Sequence, residues 1–353
     1  MCKIEEKRFD SEPIRDFFGA DVILIEADPN HPLHNAVLGK RKANKIDYSL
    51  ATIQTSFTYI LNVRKKGLKD WLESTKPRLL KGDIKDKKSA VAEIIACYSL
   101  SCAGFEVLPQ PTSSTPSADF LCKDPEGNEF IVEVYCRNLC DDAIQAMGNS
   151  LIALDAKIKA NGNKHGVYVG EPTEIRPWGH SDDTCTEDAI SKVCSIKQRE
   201  HQLTESLPSI IWVDIGITGN FSLGGTGFTS PLNSFNECIT SGHYWYGLYG
   251  KKGLPVFTGH YVELQHKRPP EITAMQHNGR FIKSPQLSAV IFRFEDAEVL
   301  FENPSSNNPI QDTIRQRMLN LPRFKLGHSL ANFYPNMVKE QNAVFEKYIK
   351  SFQ

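Results

Sequence analysis

Three carboxylates, Glu93, Asp119 and Glu133, fall on successive elements of the segment SAVAEIIACYSLSCAGFEVLPQPTSSTPSADFLCKDPEGNEFIVEVYCR, which runs from Ser89 to Arg137. Acids that converge from separate elements make a site for a hard divalent cation, and a bound cation can polarise a phosphoryl oxygen and activate water. Glu133 stands out because it interrupts the apolar run from Ile131 to Val134. Strands are depleted in acids, so a charge there must be paired, metal-bound or solvated. Taken singly, Glu93 reads as a solvated helix residue and Asp119 as a turn or cap residue. Taken together, the three point to a metal-dependent phosphodiesterase.

The elements that would position them follow from pattern. Val91, Ile94, Ile95, Tyr98 and Cys102 recur at helical spacing from Ser89 to about Ala103, and Gly104 stands where a helix ends. Phe105 to Leu108 and Ala118 to Lys123 read as strands, separated by a Pro/Ser/Thr loop from Pro109 to Ser117. DPEGN, residues 124 to 128, is a turn leading into a third strand, Phe130 to Cys136. Alternation sets Ile131, Glu133, Tyr135 and Arg137 on one face of that strand and Phe130, Val132, Val134 and Cys136 on the other.

Upstream, Val22 to Ile25 reads as a short strand and Ile46 to about Trp71 as one helix, with Ile53, Phe57, Ile60, Leu61 and Leu68 at helical spacing. Downstream, a helix is expected from Asp141 to Ile158, a strand from Gly166 to Val169, and a helix from about Thr186 to Leu203. The run SIIWVDIG reads as a buried central strand, and 216 to 259 as a long irregular stretch or a set of short strands. Two last strands are expected at Leu287 to Phe294 and Glu298 to Phe301, before a broken helical tail from Thr313 to Phe352. Residues 1–85 then form an N-terminal helical extension, 86–215 the core, and 216–353 a C-terminal α+β extension.

Composition sets the bounds. The chain has 353 residues, 40% hydrophobic and 24% charged, in the range of folded globular proteins. The formal net charge of −1 conceals ten basic residues against four acidic ones between Arg64 and Lys88. Such a segment either faces phosphates or forms a solvated surface. Nine scattered cysteines without a CxxC pair fit reduced thiols and a cytoplasmic setting. No run approaches the length of a membrane span, and the N-terminus has no apolar signal core.

The order helix, strand, strand, strand, helix, strand, with acids on the helix and on the second and third strands, resembles the PD-(D/E)xK nuclease superfamily over roughly residues 85 to 215. The resemblance implies an α/β restriction-endonuclease-like fold with a mixed sheet flanked by helices. It implies magnesium-dependent hydrolysis of nucleic acid, with manganese as an alternative ion. Asp119 and Glu133 then hold the cation, and Glu93 holds the metal or positions water. The lysine expected two residues after Glu133 is Tyr135 here. Tyrosine carries no positive charge and is a poor base at neutral pH. Arg137 on the same face can stabilise a phosphoryl anion, and Lys197 or Gln198 can stand in from the helix before SIIWVDIG.

The partner so implied is nucleic acid, DNA ahead of RNA, with no membrane, and with a second copy or a defence-system protein as further company. Bacterial defence or DNA processing is the expected setting. The competing reading is a decayed nuclease module that binds nucleic acid or protein without cutting. A third class is a structural subunit of a larger assembly. The end of the chain also resembles bacterial proteins of this class in following a strand pair with an NPxxxxP stretch, Asn303 to Pro309.

Other constellations carry less. His180, Cys185, Cys194 and His201 lack the short paired spacing of zinc ligands, and GGTG, residues 224 to 227, lacks the context of a phosphate loop. No GxSxG elbow occurs. HYWYGLY, residues 243 to 249, could stack bases but reads first as core.

Overall fold

The computed structural model describes residues 12–39, 48–63, 65–110, 118–137, 186–196, 206–215, 232–235, 238–257 and 272–324. The chain divides into two compact units. The first comprises Met1–Asn138, Lys197–Gly224 and Ser284–Lys339, and the second Leu139–Ile196, Gly225–Lys283 and Glu340–Gln353.

The first unit is an α/β structure built on a mixed six-stranded sheet. Its strands, numbered along the chain, are β1 (Glu106–Pro109), β2 (Phe120–Lys123), β3 (Glu129–Cys136), β4 (Ser209–Asp214), β5 (Leu287–Arg293) and β6 (Glu298–Glu302). They lie side by side in that order. β4 runs parallel to β3 and β5, and the remaining neighbours are antiparallel. Every residue of β4 is buried, as suits a strand with partners on both edges and cover on both faces. The last two strands belong to this sheet although they lie in the segment expected as a C-terminal extension.

Helices α1 (Glu12–Phe18), α2 (Val22–Glu26), α3 (His34–Leu38), α4 (Tyr48–Asn62), α5 (Lys66–Lys81) and α6 (Ile84–Cys102) precede the sheet, and α7 (Asp312–Met318) follows it. Val22 to Ile25, expected as a strand, is helical. Val22 and Ile25, one helical turn apart, are buried, while Ile23 and Leu24 face solvent. The β-branched composition of so short a run is overridden by that docking. The single helix expected from Ile46 to Trp71 is two, with a break between Asn62 and Lys66.

α6 begins at an Asp83 cap, whose carboxylate accepts the Asp86 amide. It ends before Gly104, which takes a positive φ of 94°. The amphipathic stripe understates its burial: all residues from Ala90 to Leu100 are buried, because α4 and α5 cover one side while β1 and β3 cover the other. Phe130, Val132, Val134 and Cys136 join its apolar cluster, with Ile210, Trp212, Ala289 and Ile291 from neighbouring strands. Ile131, Glu133 and Tyr135 therefore lie on the opposite face.

Asn303, at the head of the NPxxxxP stretch, has a structural task. Its side-chain amide donates to the Leu287 carbonyl at 2.7 Å, and its backbone amide donates to that of Ser288 at 2.8 Å. Ser288 is the extra residue of an irregularity between β4 and β5, and its hydroxyl accepts the Ser209 amide and donates to the Asn308 carbonyl. The stretch thus clasps the start of β5.

In the second unit, the described residues form a helix at Thr186–Cys194, a hairpin of Leu232–Phe235 with Cys238–Ser241, and a helix at His243–Tyr249. Pro255–Phe257 pairs with Ile272–Ala274, and a short helix spans Arg280–Lys283. The aromatic segment is packed away: His243 to Leu248 are all buried, so base stacking on it is not available. The expected helix at 141–158 and strand at 166–169 lie outside the described residues. Among the described residues, no helix is long and apolar enough to cross a membrane.

Candidate functional site

Glu93 and Asp119 come together. Both line a polar cavity of about 310 Å³ with Gly67, Asp70, Arg78 and Gln110 among its walls. Glu93 projects from α6 in its all-round buried stretch, where a lone carboxylate would be costly. Arg78 of α5 meets it with both terminal nitrogens, Nη1 donating to Oε2 at 2.8 Å and Nη2 to Oε1 at 2.9 Å. The third guanidinium nitrogen, Nε, donates to Asp86 Oδ1 at 2.9 Å.

Local sequence explains how Asp86 reaches that position. Gly82 separates the two helices, and a Cβ there would lie 2.5 Å from the Arg78 carbonyl and 2.6 Å from Asp86 Oδ2. Only glycine leaves room for this approach. Burial pushes the Glu93 carboxyl above its ordinary range, Arg78 pulls it down, and the neighbouring Asp119 charge pushes it up again. The same bond to Glu93 holds Arg78 firmly charged.

Asp119 stands immediately before β2. Its Oδ2 accepts the Val134 amide of β3 at 2.7 Å, and its carbonyl accepts the Gln110 amide at 2.9 Å. β2 and β3 pair Phe120 with Val132, and continuing that register by one residue sets Asp119 opposite Glu133. Glu133 is buried, at 3% exposure. Tyr135 and Arg137 are half-buried, and neither they nor Glu133 are among the residues lining the Glu93 cavity, so the structure brings Glu93 and Asp119 to one cavity and leaves Glu133 on the face of β3 away from α6. The Arg137 amide donates to the Asp214 carbonyl, which extends the β3–β4 pairing beyond the strand. Lys197 and Gln198 lie outside the described residues.

Among the described residues, no three His, Cys, Asp or Glu side chains form a group able to hold a metal ion. Glu93 differs from the expected metal ligand in a specific way, since both of its oxygens serve Arg78. Asp119 and Glu133 keep the donor chemistry of a magnesium site, which ordinarily needs one or two carboxylates beside water and substrate phosphate.

The sequence pattern does not single out Arg78 and Asp86. The available signal was the basic segment from Arg64 to Lys88, which spacing cannot resolve into members. Lys76 is taken up by Asp21 and the faces of Phe17 and Phe18, and Lys87 by Asp28. Arg78 reaches the cavity.

A second charged cluster lies deeper in the first unit. Arg293 Nη1 donates to Asp214 Oδ1 at 3.1 Å, with both side chains fully buried. Across β5 and β6, Glu298 pairs in register with Arg293, and its Oε1 accepts the Ser99 hydroxyl of α6 at 2.7 Å. This cluster ties the sheet to α6.

The fold and the cavity define an α/β protein with a mixed sheet and an acidic pocket bearing one guanidinium. Comparison with known proteins finds no family model, no curated protein and no solved structure that matches the chain.

Proposed function

We propose that this chain is a restriction-endonuclease-like nuclease that hydrolyses phosphodiester bonds with a magnesium ion, in DNA ahead of RNA. The observation that carries the reading is Asp119, fixed by the Val134 amide beside β3 and facing one polar cavity with Glu93 of α6. Asp119 would hold the ion, with Glu133, its neighbour in register on β3 though outside that cavity, as the second carboxylate. When bound, magnesium supplies polarisation of the phosphoryl oxygen and a more acidic water.

The chain's own residues do the rest. The Val134 amide orients the Asp119 carboxylate, and the buried setting of Glu133 keeps its carboxylate away from bulk water. Arg137 carries charge that can meet a phosphate, and Tyr135 offers a hydroxyl where the family has lysine. The setting proposed for this activity is defence or DNA processing.

A second reading is a nuclease-fold module that binds nucleic acid or a protein partner without cutting. Two observations favour it: Tyr135 at the lysine position, and the engagement of both Glu93 oxygens by Arg78. The deciding assay incubates the whole chain with supercoiled, linear and single-stranded DNA and with RNA, in magnesium, manganese or EDTA. Metal-dependent cutting that disappears in Asp119→Asn supports the first reading. Salt-dependent binding without cutting of any substrate supports the second. Absence of both sinks the first reading and the nucleic-acid form of the second.

A further inference from the structure

We infer that Arg293 anchors an enclosed oxyanion site at the carboxyl ends of the parallel strands β3, β4 and β5, sized for a phosphate or a small carboxylate. No residue of the Glu93 cavity takes part, so this site stands or falls apart from the nuclease reading.

Cys136, Asp214 and Arg293 are the last residues of those strands, and the register sets them side by side. Val134, Trp212 and Ile291, two positions earlier on the same strands, pack with α6, so alternation turns the row toward α6 as well. The carboxyl ends of neighbouring parallel strands are where α/β sheets seat their ligands.

Within the row, the guanidinium is only partly satisfied. Nη1 donates to the Asp214 carboxylate, at 3.1 Å to Oδ1 and 3.4 Å to Oδ2. Among the described residues, neither Nε nor Nη2 of Arg293 has a hydrogen-bond partner. The Nε–H and the adjacent Nη2–H lie on one edge of the planar group and point the same way, the side-on fork that grips two oxygens of one anion. Both side chains of the Arg293–Asp214 pair are fully buried. Charged donors left unpaired at that depth are costly, and native chains rarely keep them without an ion or a water.

The nearest other carboxylate is engaged elsewhere. Glu298, in register with Arg293 on β6, accepts the Ser99 hydroxyl at Oε1 and the Arg323 amide at Oε2, the latter at 3.3 Å. An oxyanion presents two oxygens to the fork, whereas a single water presents one. At the β3 end, burial raises the Cys136 thiol and Asp214 adds to the rise, while Lys88 and Arg293 oppose it, so a second positive charge reaches the row from α6. Enclosure limits the ligand to a small one.

Isothermal titration calorimetry of the whole chain, in a low-chloride buffer with EDTA, measures binding of inorganic phosphate, sulfate and acetate. EDTA takes the ion of the nuclease reading out of play. Saturable binding of at least one anion is expected, phosphate and sulfate marking a tetrahedral ligand and acetate a carboxylate. Arg293→Lys keeps a charge for Asp214 and loses the fork, and is expected to weaken binding about tenfold or more. Asp214→Asn keeps an acceptor for Nη1 and removes the opposing charge, so it is expected to tighten binding.

A wild type that binds none of the three anions overturns the inference and gives the fork to water. An Arg293→Lys variant that is folded by circular dichroism and binds like the wild type overturns it too, since the anion then sits elsewhere. If Arg293→Lys fails to fold, Asp214→Asn decides, and affinity that is unchanged or weaker there overturns the inference. None of these outcomes touches the cleavage assay.

Discussion

Arg78 and Glu93 form a two-point ion pair between consecutive helices, Nη1 to Oε2 at 2.8 Å and Nη2 to Oε1 at 2.9 Å. α5 and α6 are thereby fastened where α6 is buried on every side. Losing the arginine strands a buried carboxylate. Arg78→Met is therefore expected to destabilise the chain by about 1–3 kcal/mol, below the range for fully buried pairs because the arginine is partly solvated. Adding Glu93→Met removes the stranded charge and should return part of that loss. Urea denaturation of the single and double variants measures both, and a double variant less stable than the single one would contradict the account.

Asp119 has a backbone task as well as its place in the cavity. Its 2.7 Å bond from the Val134 amide satisfies a donor on a buried strand. Asp119→Ala should cost about 1–3 kcal/mol, the penalty for leaving such a group unpaired. Asp119→Asn keeps an oxygen acceptor there and should melt close to the wild type while losing phosphodiester cleavage. Melting curves and a cleavage assay on the two variants separate the structural task from the chemical one.

Much of the sheet is legible in the sequence. The turn at residues 124 to 128 and the alternation after Phe130 set the β2–β3 hairpin, and SIIWVDIG declared a strand buried on both faces. The split of the long N-terminal helix was not legible, because Val63 and Lys65 carry no breaker stronger than Gly67 nearby. Glu93 was legible as a residue that mattered, and its partner was not. Arg78 reaches Glu93 only after α5 and α6 fold back at Gly82, and a one-dimensional pattern does not encode that meeting. Nor does the run SIIWVDIG foretell that Asp214 pairs with Arg293, since strand alternation gives a face and no partner.

The cysteines offer a test of the packing around α6 and β3. Burial pushes the Cys97 thiol up to about 12, against a small opposing effect of the Ser101 hydroxyl, and Cys194 up to about 11. Cys122 and Cys136 are raised by burial as well. Thiolate is the reactive form, so these four should resist iodoacetamide in the native chain at about pH 8, and raising the pH to about 9 should expose none of them. Cys102 is half-buried and should label before these four. Peptide mapping after native and denatured labelling checks the order, and early modification of Cys97 or Cys136 would refute the packing described.

His31 gives the clearest dependence on pH. Its Nδ1 accepts the Leu33 amide at 3.1 Å, so the proton sits on Nε2, which donates to the Leu79 carbonyl at 2.8 Å. Protonating Nδ1 would destroy the first bond. Burial lowers the imidazole below its ordinary 6.5, and nearby Lys87 adds to the lowering, while the Leu79 carbonyl and Asp28 oppose it. A histidine whose affinity for protons is lower in the folded than in the unfolded chain contributes stability above the unfolded value. That contribution is lost as the pH falls from 6.5 through the folded value. The wild type should therefore lose stability on acidification through this window. His31→Leu, which gives up both bonds, should be less stable by roughly 1–3 kcal/mol near neutral pH and should show a shallower acid dependence. Denaturation midpoints from neutral pH downward test this, and parallel pH profiles for the two proteins would remove His31 as the cause.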